Sequence, residues 1–86
     1  MTTYDEAVEK VKSLKTSPSN DELLQIYALF KQATVGDNNT AQPGFFDMKG
    51  KAKWNAWNEK KGVSQDDAKA KYVALYDELA AKYGVN

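Results

Sequence analysis

Three short helix-capping signals constrain this chain more than any other feature. In each signal a hydroxyl residue stands three positions before an acid, a spacing at which side chains satisfy the backbone amides that a helix start leaves free. The three signals are Thr3 with Glu6, Ser19 with Glu22, and Ser64 with Asp67. A helix is therefore predicted to begin just after each hydroxyl residue.

Apolar residues at helical spacing extend these three starts into helices, and the segment from Lys49 to Lys61 has the pattern of one more, so four helices are predicted. The predicted helices are a first that begins after Thr3 and carries an apolar stripe to Leu14, a second from about Asn20 to Val35, a third from about Lys49 to Lys61, and a fourth between Ser64 and Gly84. Gly36 and Gly62 stand where the second and third should stop. No segment alternates apolar and polar residues over a useful length, so the predicted fold class is all-α. Since 86 residues suit one domain and not two, we expect a single domain over residues 1–86.

A long polar connection over residues 37–48 separates the second and third helices. It contains Pro43-Gly44, which predicts a turn. It also carries three large apolar residues, Phe45, Phe46 and Met48. We therefore expect part of this connection to pack against the helices.

Composition excludes several classes of function. The chain has no cysteine and no histidine, which removes the thiolate nucleophile, the commonest general base and the commonest transition-metal ligand. We expect no catalytic residues, no metal site and no cofactor. The twelve cations, all lysine, balance twelve acids, and this neutrality argues against nucleic-acid binding. No apolar run has the length of a membrane span or signal core, so we expect a cytoplasmic protein without stable membrane insertion.

Lysines and aromatic residues cluster in the second and third predicted helices. Leu23, Tyr27 and Lys31 follow one another at i, i+4 and i+8, so they share a strip of surface. Between Lys49 and Lys61 the chain has five lysines and one acid. Each feature alone is typical of an ordinary solvated face, and the two tryptophans are typical core anchors. Together they indicate an anionic ligand that carries an aromatic group.

The residues alone leave other functions open. A small helical module that binds a protein through its aromatic surface is compatible with this pattern. Nucleic-acid binding is a weaker alternative, because the net charge is zero and arginine is absent. Catalysis is the weakest, since no nucleophile stands with a base.

Two long motifs resemble the acyl-CoA-binding protein family, the small acyl-CoA carriers of the diazepam-binding-inhibitor type. The first is Tyr27 with the run from Lys31 to Asp37, and the second runs from Pro43-Gly44 through Asp47 and Lys49 to Trp57. The resemblance covers about Tyr4 to Gly84. It implies a four-helix up-down-down-up bundle, in monomeric form, that binds long-chain acyl-CoA esters and acts as their intracellular carrier and buffer pool without catalysis.

The resemblance also implies a set of ligand-binding residues. Tyr27, Lys31 and Lys53 match family positions around the adenine and the 3′-phosphate. The wider acyl-CoA set is Lys12, Tyr27, Ala28, Leu29, Phe30, Lys31, Lys49, Lys53 and Tyr72, and the residues that match the acyl groove are Val8, Leu23 and Leu24. Phe30 stands where the family usually has tyrosine, so a hydroxyl contact to the head group is lost there.

Overall fold

Four α-helices and one 3₁₀ turn make up the regular structure of residues 2–85, the part of the chain that this computed structural model describes. The helices are α1 at Tyr4–Lys10, α2 at Asn20–Thr34, α3 at Met48–Asn58 and α4 at Gln65–Tyr83, and the 3₁₀ turn is at Val11–Ser13. The described residues contain one isolated β-bridge and no strand. The predicted all-α class is confirmed.

Each predicted capping residue lies at the start of the helix that it was expected to begin. The Ser19 hydroxyl accepts a hydrogen bond from the Glu22 amide at 3.2 Å, and the Glu22 carboxylate accepts one from the Ser19 amide at 2.8 Å. Thr3 and Glu6 form the same reciprocal pair at the start of α1. The Ser64 hydroxyl accepts from the amide of Asp67 at the start of α4. Local sequence therefore sets the three predicted helix starts.

Contacts along the helices define the direction of each one. The start of α1 lies beside the middle of α4, where the Tyr4 and Tyr72 rings meet edge to face at 5.4 Å, and the chain after α1 pairs with the end of α4 through Leu14 and Val85. These two helices are therefore parallel. Glu22, early in α2, contacts Tyr83 at the end of α4, so α2 and α4 are antiparallel.

The remaining pair, α2 and α3, is parallel. Residues from the N-terminal half of α2 face residues from the N-terminal half of α3, and at the other end Lys31 of α2 lies over the ring of Trp57 in α3. With α1 and α4 pointing one way and α2 and α3 the other, the bundle is up-down-down-up, as predicted.

The hydrophobic core lies where α1, α2 and α4 meet. Its buried centre consists of Ala7, Leu29, Tyr72 and Tyr76. On the α3 side, Trp57 is buried, and its indole N–H donates to the Gly36 carbonyl at 2.9 Å. The prediction of a core anchor is confirmed for this tryptophan. Trp54 is half-buried and donates its indole N–H to the Thr40 carbonyl at 3.1 Å.

The first helix is shorter than its apolar stripe predicted. The α-helix ends at Lys10, a 3₁₀ turn follows, and Leu14 takes an extended backbone conformation. Leu14 forms the isolated bridge with Val85, and the Lys15 amide donates to the Gly84 carbonyl at 3.0 Å. These bonds satisfy the backbone of Leu14 and Lys15 outside the helix, so the chain leaves it early.

The third helix also ends early, at Asn58 and not at Lys61. Two side chains from the α2 end hold the segment beyond it. The Asp37 carboxylate accepts from the Gly62 amide at 3.0 Å, and the Gln32 amide donates to the Val63 carbonyl at 2.8 Å. These bonds draw residues 59–63 into a series of tight turns. Gly62 has φ +90, which glycine adopts without strain.

The apolar residues of the long connection do not pack as predicted. Phe45, Phe46 and Met48 are 81%, 95% and 79% exposed. The connection instead packs through a polar residue, because Asn38 is buried and accepts two hydrogen bonds from Thr40. The expectation that Phe45, Phe46 and Met48 would pack against the helices was therefore wrong.

No helix within residues 2–85 combines the length and the apolarity needed to cross a bilayer.

We predict that Glu22 makes the stability of the bundle depend on pH in the acid range. Hydrogen bonds from Tyr83, the Ser19 amide and Lys82 lower the pKa of this carboxyl from 4.5 to about 2. Because the unfolded chain then binds the proton more tightly, this stabilisation is fully present above pH 4.5 and is lost as the pH falls toward about 2. Glu22→Gln should flatten this part of the profile in urea unfolding followed by circular dichroism.

The matched control is Glu78→Gln, which removes a carboxylate of α4 that makes no side-chain hydrogen bond within the described residues. It should retain the pH dependence that Glu22 contributes. A Glu22→Gln profile that followed the parent over the whole acid range would contradict the assignment.

Candidate functional site: a groove between two parallel helices

An open groove of about 420 Å³ lies between the N-terminal halves of α2 and α3. The residues that line it are Asn20, Leu23, Leu24 and Tyr27 from α2, and Met48, Lys49, Ala52 and Lys53 from α3. Apolar side chains form most of its surface, and two lysines stand among them. It is larger than a neighbouring depression of about 330 Å³ that also adjoins α3.

The α2 wall exists because this helix buries its opposite face. Ala28 and Leu29 lie in the core with 0% and 5% of their surface exposed. Leu23 and Tyr27 lie on the side of the helix opposite Leu29, Leu24 shares a strip of surface with Ala28, and all three line the groove that faces α3. Leu23 remains 46% exposed, which is high for a leucine in a short bundle.

The α3 wall depends on the cap at the start of this helix. The Asp47 carboxylate accepts from the Gly50 amide at 2.9 Å and fixes the first turn, which carries Lys49. Met48 and Ala52 stand one turn apart on the groove side, and the small alanine leaves the floor open. Gly50 leaves room for this cap, since a Cβ there would lie 2.3 Å from an Asp47 carboxylate oxygen.

Aromatic rings hold two lysines at the edge of the groove. The Lys53 Nζ lies 5.4 Å from the centroid of the Tyr27 ring, and the Lys31 Nζ lies 4.9 Å from the centroid of the Trp57 ring. Both distances fall within the range of cation–π attraction. Among residues 2–85, neither lysine forms an ion pair with a carboxylate.

This arrangement favours an amphiphilic anion. The apolar walls can remove a hydrocarbon from water, and the unneutralised ammonium groups at the rim can bind an anionic group. Within the described residues no three acidic side chains converge in a way that could hold a metal ion. The apolar walls and the lysines together give the site the chemistry of binding an amphiphilic anion.

The structure brings five of the predicted site residues to the groove. They are Leu23, Leu24, Tyr27, Lys49 and Lys53. Lys31 lies one turn beyond Tyr27 on α2, and its Nζ contacts the ring of Trp57.

Other predicted residues lie away from the groove. Ala28 and Leu29 belong to the core and have almost no accessible surface. Val8, on α1, packs against the core cluster and does not line the groove. Lys12 is exposed on the 3₁₀ turn that follows α1.

Phe30 and Tyr72 form a separate aromatic contact. Their ring centroids are 6.5 Å apart, with Phe30 37% exposed and Tyr72 only 3% exposed. Burial, followed by the charge of the neighbouring Tyr4, raises the pKa of Tyr72 to about 12. Tyr72 is therefore neutral at physiological pH. Its buried ring packs against the partly exposed ring of Phe30.

Sequence reasoning missed three residues of the groove lining, Asn20, Met48 and Ala52. Helical spacing offered a signal for each of them. Asn20 precedes Leu24 by four residues, and Met48 precedes Ala52 by four, so each pair shares a strip of helix surface. Extending the strips by one turn from Leu24 and from Lys49 would have found Asn20 and Ala52, and one further turn back from Ala52 leads to Met48.

Comparison with known proteins identifies the family. The family model for the acyl-CoA-binding protein matches residues 1–76. The chain is 69% identical over 81 residues to acyl-CoA-binding protein homolog 1 of Caenorhabditis elegans, covering 94% of each chain. It is also 59% identical over 80 residues to the acyl-CoA-binding protein homolog of Drosophila melanogaster, covering 93% of each.

Solved structures agree with this result. The fold superimposes on acyl-CoA-binding protein 2 of Oryza sativa with a TM-score of 0.88 and 39% identity, over 92% of this chain and 88% of the rice protein. The chain therefore belongs to the acyl-CoA-binding protein family.

We predict that Gly50→Ala fails to stabilise α3 while Asp47 is present. Replacing a helical glycine by alanine normally gains about 1 kcal/mol, whereas loss of an Asp cap costs about 1 kcal/mol. The new Cβ would displace the Asp47 carboxylate, so the two effects should cancel. Urea unfolding of the single variant should show little change in the free energy of unfolding.

The control is the same substitution in an Asp47→Ala background, where the cap is already absent. There Gly50→Ala should recover about 1 kcal/mol. Equal stabilisation in both backgrounds would show that Asp47 does not act as the cap of α3.

Proposed function

We propose that this chain binds long-chain acyl-CoA esters in the α2–α3 groove and acts as their intracellular carrier and buffer pool. The observation that carries the proposal is the apolar groove with the ammonium groups of Lys49 and Lys53 in its lining. Membership of the acyl-CoA-binding protein family supports the ligand class, and so do relatives that cover nearly the whole chain. The family is one of binding proteins, and no catalytic step or cofactor enters the proposal.

The two parts of the ligand contribute differently to affinity. Burying one methylene gains about 0.8 kcal/mol, so a long acyl tail supplies on the order of 10 kcal/mol before the cost of ordering it. An exposed lysine–phosphate pair contributes about 1 kcal/mol or less. The tail therefore determines most of the affinity, and the phosphates allow the protein to distinguish acyl-CoA from a free fatty acid.

The head group is proposed to lie along the aromatic–lysine edge. Tyr27 offers a ring face for the adenine, and Lys53 and Lys31 supply ammonium groups for the 3′-phosphate. Because these two lysines contact rings and, within residues 2–85, pair with no carboxylate, binding a phosphate breaks no ion pair there. Lys49 lies in the groove lining, where it can meet the phosphates or the start of the acyl chain.

The other residues that match family positions do not line the groove, and they contribute from its surroundings or through the core. Phe30 stands three residues after Tyr27 on α2 and offers a partly exposed ring, with Tyr72 as its support from beneath. Lys12 reaches the head group from the turn after α1. Val8, Ala28 and Leu29 act through the core that holds α2 in place.

We further propose that the protein is a cytoplasmic monomer with one domain over residues 1–86, and that it does not bind nucleic acid. The last point is supported by the balance of twelve cations and twelve acids and by the absence of arginine.

Calorimetric titration with palmitoyl-CoA, free coenzyme A and palmitate tests the function. Palmitoyl-CoA should bind most tightly, because it alone engages both the groove and the lysines. Free coenzyme A should bind much more weakly, since it lacks the tail. Equal affinities for palmitate and palmitoyl-CoA would contradict the role of the lysines.

The same titration applied to variants tests the site. Lys53→Ala should weaken palmitoyl-CoA binding about fivefold, which corresponds to about 1 kcal/mol. Tyr27→Ala should weaken it about tenfold or more, because it removes a stacking face. Lys71→Ala, an exposed lysine on α4, is the matched control and should bind as the parent does. Normal binding by both site variants, with helical content retained, would show that the site is misplaced.

A further inference from the structure

A shallow depression of about 330 Å³ lies next to the groove, along the first turns of α3. Phe45 lines it from the segment before the helix, and Met48, Lys51, Ala52 and Asn55 line it from α3. The four helical residues stand at i, i+3, i+4 and i+7, so they form one strip of helix surface. Met48 and Ala52 also line the groove, and the two surfaces are therefore continuous.

The depression is suited to a hydrocarbon. Phe45 and Met48 present large apolar side chains that are mostly exposed to water. Lys51 is half-buried, and the methylene stem of such a lysine can cover apolar surface while its ammonium group stays in water. Within residues 2–85 Lys51 forms no ion pair, so an occupant of the depression displaces none there. Covering the depression with an alkyl chain removes apolar surface of both partners from water.

The size of the groove limits the length of tail that it can hold. If a methylene takes up about as much volume as a water molecule in the liquid, about 30 Å³, a groove of about 420 Å³ holds on the order of 14 carbons. In the proposed binding mode the head group also lies beside Tyr27 and Lys53, which line the same groove. A tail of about twenty carbons or more therefore extends beyond the groove.

The proposed orientation of the ligand directs the end of the tail toward Met48. The head group lies near Tyr27 and Lys53, so the tail runs toward the N-terminal ends of α2 and α3. At that end the α2 wall finishes with the polar side chain of Asn20, whereas Met48 continues the apolar surface into the depression and on to Phe45. The apolar path beyond the groove therefore crosses Met48.

We propose that this depression is a distal subsite for the last carbons of very-long-chain acyl-CoA esters, those with about twenty carbons or more in the tail. The proposal rests on the proposed acyl-CoA function and names a substrate class for it. Phe45 is the residue that determines this preference, because it lines the depression and not the groove. Shorter tails end within the groove and do not reach Phe45.

Calorimetric titration with acyl-CoA esters of different length tests the subsite, with each ester below its critical micelle concentration. The parent protein should bind docosanoyl-CoA at least about tenfold more tightly than palmitoyl-CoA, because the additional methylenes cover the depression. Phe45→Ser should weaken docosanoyl-CoA binding about fivefold and leave myristoyl-CoA binding within about twofold of the parent. The matched control is Phe46→Ser, which removes a ring that is 95% exposed and lines neither surface. It should leave the binding of both esters unchanged.

Amide resonances of the parent protein locate the tail without any substitution. Docosanoyl-CoA should shift the amides of Phe45, Lys51 and Asn55, and myristoyl-CoA should leave these three nearly in place. Identical shifts of the three amides with both esters would overturn the proposal, because the longer tail would then not enter the depression.

Three calorimetric results would also overturn the distal subsite. They are docosanoyl-CoA binding no tighter than palmitoyl-CoA in the parent, an equal loss of affinity for short and long esters in Phe45→Ser, and the same loss in Phe46→Ser. Failure of the parent to bind myristoyl-CoA would overturn the proposed function and the subsite with it. Binding of myristoyl-CoA thus separates failure of the subsite from failure of the proposed function.

Discussion

The parallel alignment of α2 and α3 is the constraint on which the site depends, and hydrogen bonds at the C-terminal ends of the two helices hold it. The Trp57 indole donates to the Gly36 carbonyl, and the Asp37 carboxylate accepts from both the Gln32 amide and the Gly62 backbone. These bonds satisfy polar groups that would be costly to bury unpaired. They bring the C-terminal ends together and leave the N-terminal halves apart, and the groove is the space between those halves.

In these two helices, the residues that are buried in the core and the residues that line the groove occupy different positions. Toward its C-terminal end α3 buries Ala56 and Trp57, whereas nearer its start it presents Met48, Ala52 and two lysines to the groove. In the described part of the chain, Lys31 and Lys53 contact aromatic rings and form no ion pair with a carboxylate. A neutral protein thus keeps a local positive charge that is free to bind an anion, which its net charge alone would not reveal.

Sequence reasoning succeeded where local interactions decide the structure. Three helix starts follow from side chains that cap amides three residues away, and the strip of Leu23, Tyr27 and Lys31 follows from helical spacing. It failed where distant residues decide. The early ends of α1 and α3 depend on bonds to Val85 and Asp37, which no local pattern contains.

The candidate site shows the same division between local and distant control. Spacing within one helix grouped Lys49 with Lys53, and the structure places both in the groove lining. Spacing could not show that Ala28 and Leu29 face the core, because that depends on where α4 packs. The spacing of residues also could not predict that Phe45 and Phe46 face outward, since apolar residues are normally expected to be buried. The polar connection and its Pro43-Gly44 turn indicated a surface segment, but they could not show that both rings would face outward.

The most direct test of the account is to map the amide resonances that palmitoyl-CoA shifts in a uniformly labelled sample. If acyl-CoA binds in the α2–α3 groove, the largest shifts should lie along it, from Leu23 to Lys31 in α2 and from Met48 to Lys53 in α3. Free coenzyme A should shift only the part of this set near Tyr27 and the lysines. Shifts concentrated on the outer faces of α1 and α4, with the α2–α3 groove unchanged, would contradict it.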